Sequence, residues 1–156
     1  MKKLLRTILL LVLVSLPVSV FRGKEASAAQ YDFWNWSTWP TISQGSSGGF
    51  VSAVQSMLWA SGYQTATGSV DGSFGSGTAT GLRHFQNLES ITADGIVGPT
   101  TWGTFDKYAS KGFATRNYDH WQSSYYSVHF SDSNVVYGSL DSKDELEIAY
   151  FTLWKY

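Results

Sequence analysis

The three histidines, His84, His120 and His129, are the side chains best suited to move a proton or hold a metal near neutral pH. A zinc peptidase needs such residues clustered with carboxylates, and no His-Glu-x-x-His spacing joins any two of them. The chain has no cysteine, which excludes a thiol nucleophile, a Cys-ligated zinc and any disulfide. No Gly-x-Ser-x-Gly turn is read as supporting a serine nucleophile. Paired carboxylates remain. Asp144, Glu145 and Glu147 lie near aromatic residues, as a glycosidase pair would, but acidic residues of this kind ordinarily occupy a solvated turn and strand edge. The expectation is therefore no catalytic group, no metal site and no cofactor.

More organised than any of these is a repeated turn. Asp71-Gly72-Ser73-Phe74-Gly75-Ser76-Gly77-Thr78 returns 23 residues later as Asp94-Gly95-Ile96-Val97-Gly98-Pro99-Thr100-Thr101. In each copy the Asp carboxylate can accept a hydrogen bond from the N–H two residues on, the next Gly can take a positive φ, and one apolar residue, Phe74 or Val97, turns inward. Gly75 and Gly98 then admit the chain to a helix, with Pro99 at a first-turn position where its missing N–H is harmless. Asp71 and Asp94 are acidic enough to bind a cation or an amine, but their place in the repeat favours turn architecture.

At these residues the chain resembles the peptidoglycan-binding domain family, the small three-helix module attached to many bacterial cell-wall hydrolases. The resemblance also takes in Trp39-Pro40-Thr41-Ile42, Gly45-Ser46-Ser47-Gly48, Val54-Gln55 and Gly62-Tyr63, about 65 residues in all. Two positions depart from the family pattern. Gly81 stands where Ala is usual, which should weaken its helix by roughly 0.5–1 kcal/mol, and Ser90 stands where Gly is usual. The resemblance implies peptidoglycan as ligand, through its glycan strand or stem peptide. Tyr63, Gln55, His84 and Gln86 are the candidate ligand-binding residues. His84 is alternatively an exposed helix position, and either Gln is alternatively bonded to nearby backbone, as a buried amide must be.

Residues 1–29 read as a signal peptide: Lys2, Lys3 and Arg6, then an apolar run from Ile8 to Phe21 broken by Pro17, then Ala26-Ser27-Ala28. That run is too short to span a bilayer comfortably, so a secreted protein without stable membrane insertion is expected, and the resemblance implies that it associates with the cell wall. From Gln30 onward six Lys and Arg oppose eleven Asp and Glu, a formal charge of −5. An acidic chain is not drawn over long range to polyanions, so nucleic acid is an unfavourable partner and wall binding must rest on short-range contacts.

The elements that position these groups follow from spacing. Residues 30–39 form an aromatic arm in which Trp34, Trp36 and Trp39 either line a sugar-stacking strip or pack inward. Residues 40–109 form a helical domain, with Ser47 as a cap, Phe50, Val51, Val54, Leu58 and Trp59 at helical spacing, a second helix over 76–88 and a third over 99–108. Residues 110–156 form a small β-rich appendage of three strands near 124–130, 134–137 and 145–154. The expected fold is mainly α, a three-helix bundle with a short C-terminal antiparallel β appendage. The expected function is non-catalytic peptidoglycan binding. The alternatives are a miniature hydrolase or antibacterial effector in the C-terminal segment, or an adaptor whose appendage recruits a protein partner.

Overall fold

A computed structural model describes residues 31–112, 115–122, 126–132, 135–142 and 147–155. The expected signal peptide, Asp144 and Glu145 lie outside the described residues. No helix among the described residues is long and apolar enough to cross a membrane.

Helix α1 spans Gly49–Ala60 and buries Val51, Ala53, Val54, Met57 and Leu58 on one side. Its N-cap is Gly48, at φ +107°, rather than Ser47, and no side chain caps the helix. It closes on Gly62, also left-handed at φ +84°, with the Tyr63 N–H donating to Leu58 O and the Gly62 N–H to Trp59 O. This is the paired-bond ending that a left-handed residue permits. A single turn, α2 (Gln64–Thr67), leads to α3 (Ser76–Leu88) and α4 (Pro99–Asp106).

Helix α3 ends in the same way as α1, with the Ile91 N–H on Gln86 O and the Ser90 N–H on Asn87 O. Here the left-handed position is held by Ser90 at φ +56°, a conformation an L-residue adopts at a penalty of roughly 1–2 kcal/mol. Ser90 is exposed, so Ser90→Gly is expected to raise stability by about 1 kcal/mol, read as a higher urea midpoint with an unchanged slope. Gly81 behaves oppositely. A Cβ there would lie 2.2 Å from Thr67 Oγ1 and 3.3 Å from Thr67 Cβ, so α2 packs directly onto the missing methyl. Gly81→Ala should therefore lower the melting temperature despite its better helix propensity, because overpacking typically costs about 1–3 kcal/mol.

The remainder corrects the expectation of a mainly α fold with a short three-stranded appendage. The C-terminal part is a five-stranded antiparallel sheet in simple sequential order: β1 Ala109–Lys111, β2 Thr115–Tyr118, β3 Tyr126–Ser131, β4 Val135–Ser142 and β5 Glu147–Lys155. Sequence reading missed β1 and β2 because Ala-Ser-Lys and Thr-Arg-Asn-Tyr lack the alternation of aliphatic residues that marks a half-buried strand. In β2 the inward positions are Arg116 and Tyr118, both fully buried.

One face of the sheet is core and is built onto the helices. Val128, Phe130, Leu140, Phe151 and Leu153 point inward, whereas Tyr150, of opposite parity to Phe151, is 57% exposed. Gly49 at the start of α1 lies so close to β5 that a Cβ would overlap Thr152 O. The first described residues lie between sheet and helices rather than projecting as an arm. A 3-10 turn, Trp36–Thr38, buries Trp36 and Trp39, which stack at 4.8 Å between centroids. Phe130 of β3 meets Trp36 edge-on at 5.0 Å, and Trp102 of α4 meets Trp39 at 5.1 Å. Trp36 and Trp39 thus hold helices and sheet together through edge-to-face aromatic contacts.

Candidate ligand-binding surface

The two repeated turns are each plugged by a glutamine from the helix behind them. Gln55 Nε2 donates to Asp71 Oδ1 (2.9 Å), Ser73 O (3.0 Å) and Thr78 Oγ1 (3.1 Å), and its Oε1 accepts from the Asp71 and Gly72 N–H groups. Gln86 repeats the pattern in the second turn, with Asp94 Oδ1 (3.0 Å), Ile96 O (2.9 Å), Thr101 Oγ1 (3.2 Å) and the Gly95 N–H (2.9 Å). The partners fix which end of each amide is nitrogen. Gly72 and Gly95 have φ of +71° and +76°, and Asp71 and Asp94 each accept the N–H two residues on. These bonds hold the Asp71 carboxyl below its usual range, the Gln55 amide contributing most. Gly75 and Gly98 are the N-cap residues of α3 and α4. Both glutamines are buried, so a ligand could reach neither amide without displacing a turn.

Tyr63 and His84 are placed together. Their rings stack at 6.0 Å and 16°, with Tyr63 half-buried at the end of α1 and His84 exposed on α3. Burial raises the Tyr63 phenol above its ordinary value, outweighing the opposing influence of the Gln122 side chain. Beside this pair lies a polar cluster that sequence reading did not assemble. The Tyr108 hydroxyl faces both Glu89 oxygens (2.9 and 2.8 Å), His120 Nε2 lies 3.3 Å from Glu89 Oε1, and the Gln122 N–H donates to His120 Nδ1. An acceptor Nδ1 and a donor Nε2 define the neutral imidazole. Trp121 projects from this cluster with 69% of its surface exposed. The hint in sequence was Trp121 in the polar run Asp119-His120-Trp121-Gln122, where a core tryptophan is not expected.

His120 is buried, and desolvation lowers its pKa below 6.5 despite the opposing Glu89. The folded chain thus releases the proton more readily than the unfolded chain, which binds more protons in the window just below pH 6.5. The associated stability is present above pH 6.5 and is lost as pH falls toward the folded value. Melting temperature should decline between about pH 7 and 5, less so in His120→Gln; equal slopes would contradict this.

His129 sits on the outer face of the sheet, with Nδ1 2.7 Å from Asn117 Oδ1 and Nε2 3.2 Å from Ser127 Oγ and 3.4 Å from Asp141 Oδ2. The set resembles a nucleophile and its base, but β3 is an internal strand whose amides lie in the sheet plane, and none is aimed at an oxyanion above that face. Gly45-Ser46-Ser47-Gly48-Gly49 fits the letters of a serine-nucleophile turn, a match the sequence reading passed over. It is a loop tied to the first repeated turn through Ser47 and Ser73, with Gly48 left-handed just ahead of α1, not a strand-to-helix elbow. Among the described residues no group of three His, Asp or Glu could hold a metal ion. A cleft of about 220 Å³ flanks the second turn, lined by Ile91, Asp94, Ile96 and Thr100 among others.

Residues 47–104 match the model of the family described as "Putative peptidoglycan binding domain", and the helical segment is a module of that family. The chain is 40% identical over 74 residues to an uncharacterized protein in the bpoA1 3′ region of Kitasatospora aureofaciens, covering 47% of this chain and 61% of that one. It is 30% identical over 122 residues to the zinc D-Ala-D-Ala carboxypeptidase of Streptomyces albus G, covering 76% of this chain and 45% of the enzyme. The chain thus spans less than two thirds of either curated relative. Among solved structures it is similar to the SleB N-terminal domain, at 40% identity and a TM-score of 0.39, over 42% of this chain and 86% of that one.

Proposed function

We propose that this protein is exported to the bacterial cell wall and binds peptidoglycan without cleaving it. The match of residues 47–104 to the peptidoglycan-binding family carries the reading. We assign the family's binding module to residues 40–109, extended by the side chains that the sheet region brings alongside it. The non-catalytic part draws on the Glu89–His120 pair: Glu89 is occupied by Tyr108 and His120, and His120 is neutral with both nitrogens engaged. A general acid or base must instead have an atom free to face its substrate.

Similarity to a zinc D-Ala-D-Ala carboxypeptidase favours a second reading, in which the chain works beside a wall hydrolase. In that reading the outer face of the sheet is the surface that engages such a protein. Incubating the protein with purified sacculi, while following turbidity and the release of soluble fragments, tests the first reading. Binding without clearing or release is expected. Progressive clearing by the protein alone would show that it cleaves the wall.

A further inference from the structure

We propose that Trp121 and Gln122, together with the Tyr63–His84 ring pair, form a saccharide-stacking subsite that holds a pyranose ring of the wall glycan. The proposal rests on the peptidoglycan reading above and narrows it from peptidoglycan to its sugar strand.

Trp121 is the most exposed large apolar side chain among the described residues, ahead of Tyr150, Ile96 and Leu88. A single exposed apolar residue needs no explanation by itself. This one is held from behind. The His120 ring lies against it at 5.4 Å and 30°, and behind His120 the Tyr108 ring packs at 4.3 Å with its hydroxyl on Glu89. Buried His120, with half-buried Glu89 and Tyr108 behind it, thus backs an indole that is otherwise open to solvent. A ring fixed before binding loses little freedom when a ligand arrives, and the negative face of its π-system attracts the weakly positive C–H groups of a sugar ring.

The neighbouring groups suit the substituents of such a ring. Gln122 packs over Gly62, the residue before Tyr63 in the chain, with its Cγ 3.8 Å from where a Cβ would stand. Amide and phenol together offer donors and acceptors for hydroxyl and N-acetyl groups. The Tyr63–His84 stack continues the aromatic surface on the helical side. A stem peptide would present carboxylates, which call for an arginine fork or a lysine. The groups that back this surface are the Glu89 carboxylate, already hydrogen-bonded, and a neutral imidazole, neither of them a cation. An uncharged sugar needs no cation, so the glycan is the ligand these groups fit.

The test measures the whole exported chain and its Trp121→Ala and Trp121→Phe variants against two probes, a β-1,4-linked N-acetylglucosamine tetrasaccharide by calorimetry and purified sacculi by cosedimentation. Melting curves should superimpose, because the replaced ring is mostly in solvent. Trp121→Ala is expected to weaken binding to both probes by about tenfold or more, as loss of one aromatic stacking partner does, while Trp121→Phe stays within about threefold of wild type. If Trp121→Ala binds both probes like wild type, the subsite is wrong although the wall reading stands. Wild-type failure on sacculi, with Trp121-dependent binding of the tetrasaccharide, would overturn the wall reading and leave the subsite standing. Trp121-dependent binding to sacculi with no response to the tetrasaccharide overturns the glycan assignment in favour of the stem peptide.

Discussion

Replacing Asp106 by alanine is expected to destabilise the protein by about 3–5 kcal/mol, because it leaves the buried Arg116 guanidinium without its counter-ion. Arg116 enters from β2 and pairs with Asp106 at the end of α4, where Asp106 is 27% exposed and Arg116 is fully covered. Its remaining contacts are weak substitutes for a carboxylate. Trp34 O lies 3.4 Å from Nη1, Ala109 O lies 3.5 Å from Nη2, the Trp36 ring is 4.6 Å away, and Nε has no partner. A cation–π contact supplies about 2 kcal/mol when desolvated and does not replace an ion pair at this depth. The double variant Asp106→Ala with Arg116→Met should recover most of the loss, since an apolar side chain of similar length removes the orphan charge. Urea unfolding of both variants checks this; a loss below about 1 kcal/mol in Asp106→Ala would mean that water reaches the guanidinium.

Gln86→Ala should lower stability by about 2–4 kcal/mol, combining a buried unsatisfied donor with a side-chain-sized cavity. The Gly95 N–H is covered and bonds the Gln86 oxygen, so truncation leaves it with nothing. Ile96 O retains Thr101 and Asp94 retains the Ile96 N–H, which limits the loss. Gln55→Ala should be milder, because Asp71 is exposed and Gly72 half-exposed, so water can replace the amide at the first turn. The ordering of the two losses is the informative result. A larger effect at Gln55 would contradict the assignment of the second turn as the more deeply held.

What was legible in the sequence was local. Asp-Gly pairs followed by a helix start constrain only a few dihedrals, so the turns at Asp71 and Asp94, the entries at Gly75 and Gly98 and the ranges of α1 and α3 could be read one residue at a time. Long-range pairings were not legible. Gln55 reaches a turn 16 residues on, and nothing in Val54-Gln55 says that its amide is consumed there. Strand β2 escaped notice because its inward residues are an arginine made tolerable by Asp106 and a tyrosine whose hydroxyl meets Ser61 Oγ at 2.7 Å. Glu89, Tyr108 and His120 come from α3's end, the residue before β1 and the residues after β2, so only the fold assembles them. Gly81 and Ser90, flagged as departures from a family pattern, proved to have distinct causes: a close approach of Thr67 and a left-handed helix end.

Peptidoglycan binding is tested most directly by cosedimentation of residues 30–156 with purified sacculi across a salt series. The chain from Gln30 carries a formal charge of −5, so electrostatic attraction to a polyanionic wall is unfavourable and short-range contacts must supply the affinity. Saturable depletion from the supernatant is expected, nearly unchanged between about 0.05 and 0.5 M salt. Protein that stays in the supernatant at every salt concentration would contradict the account.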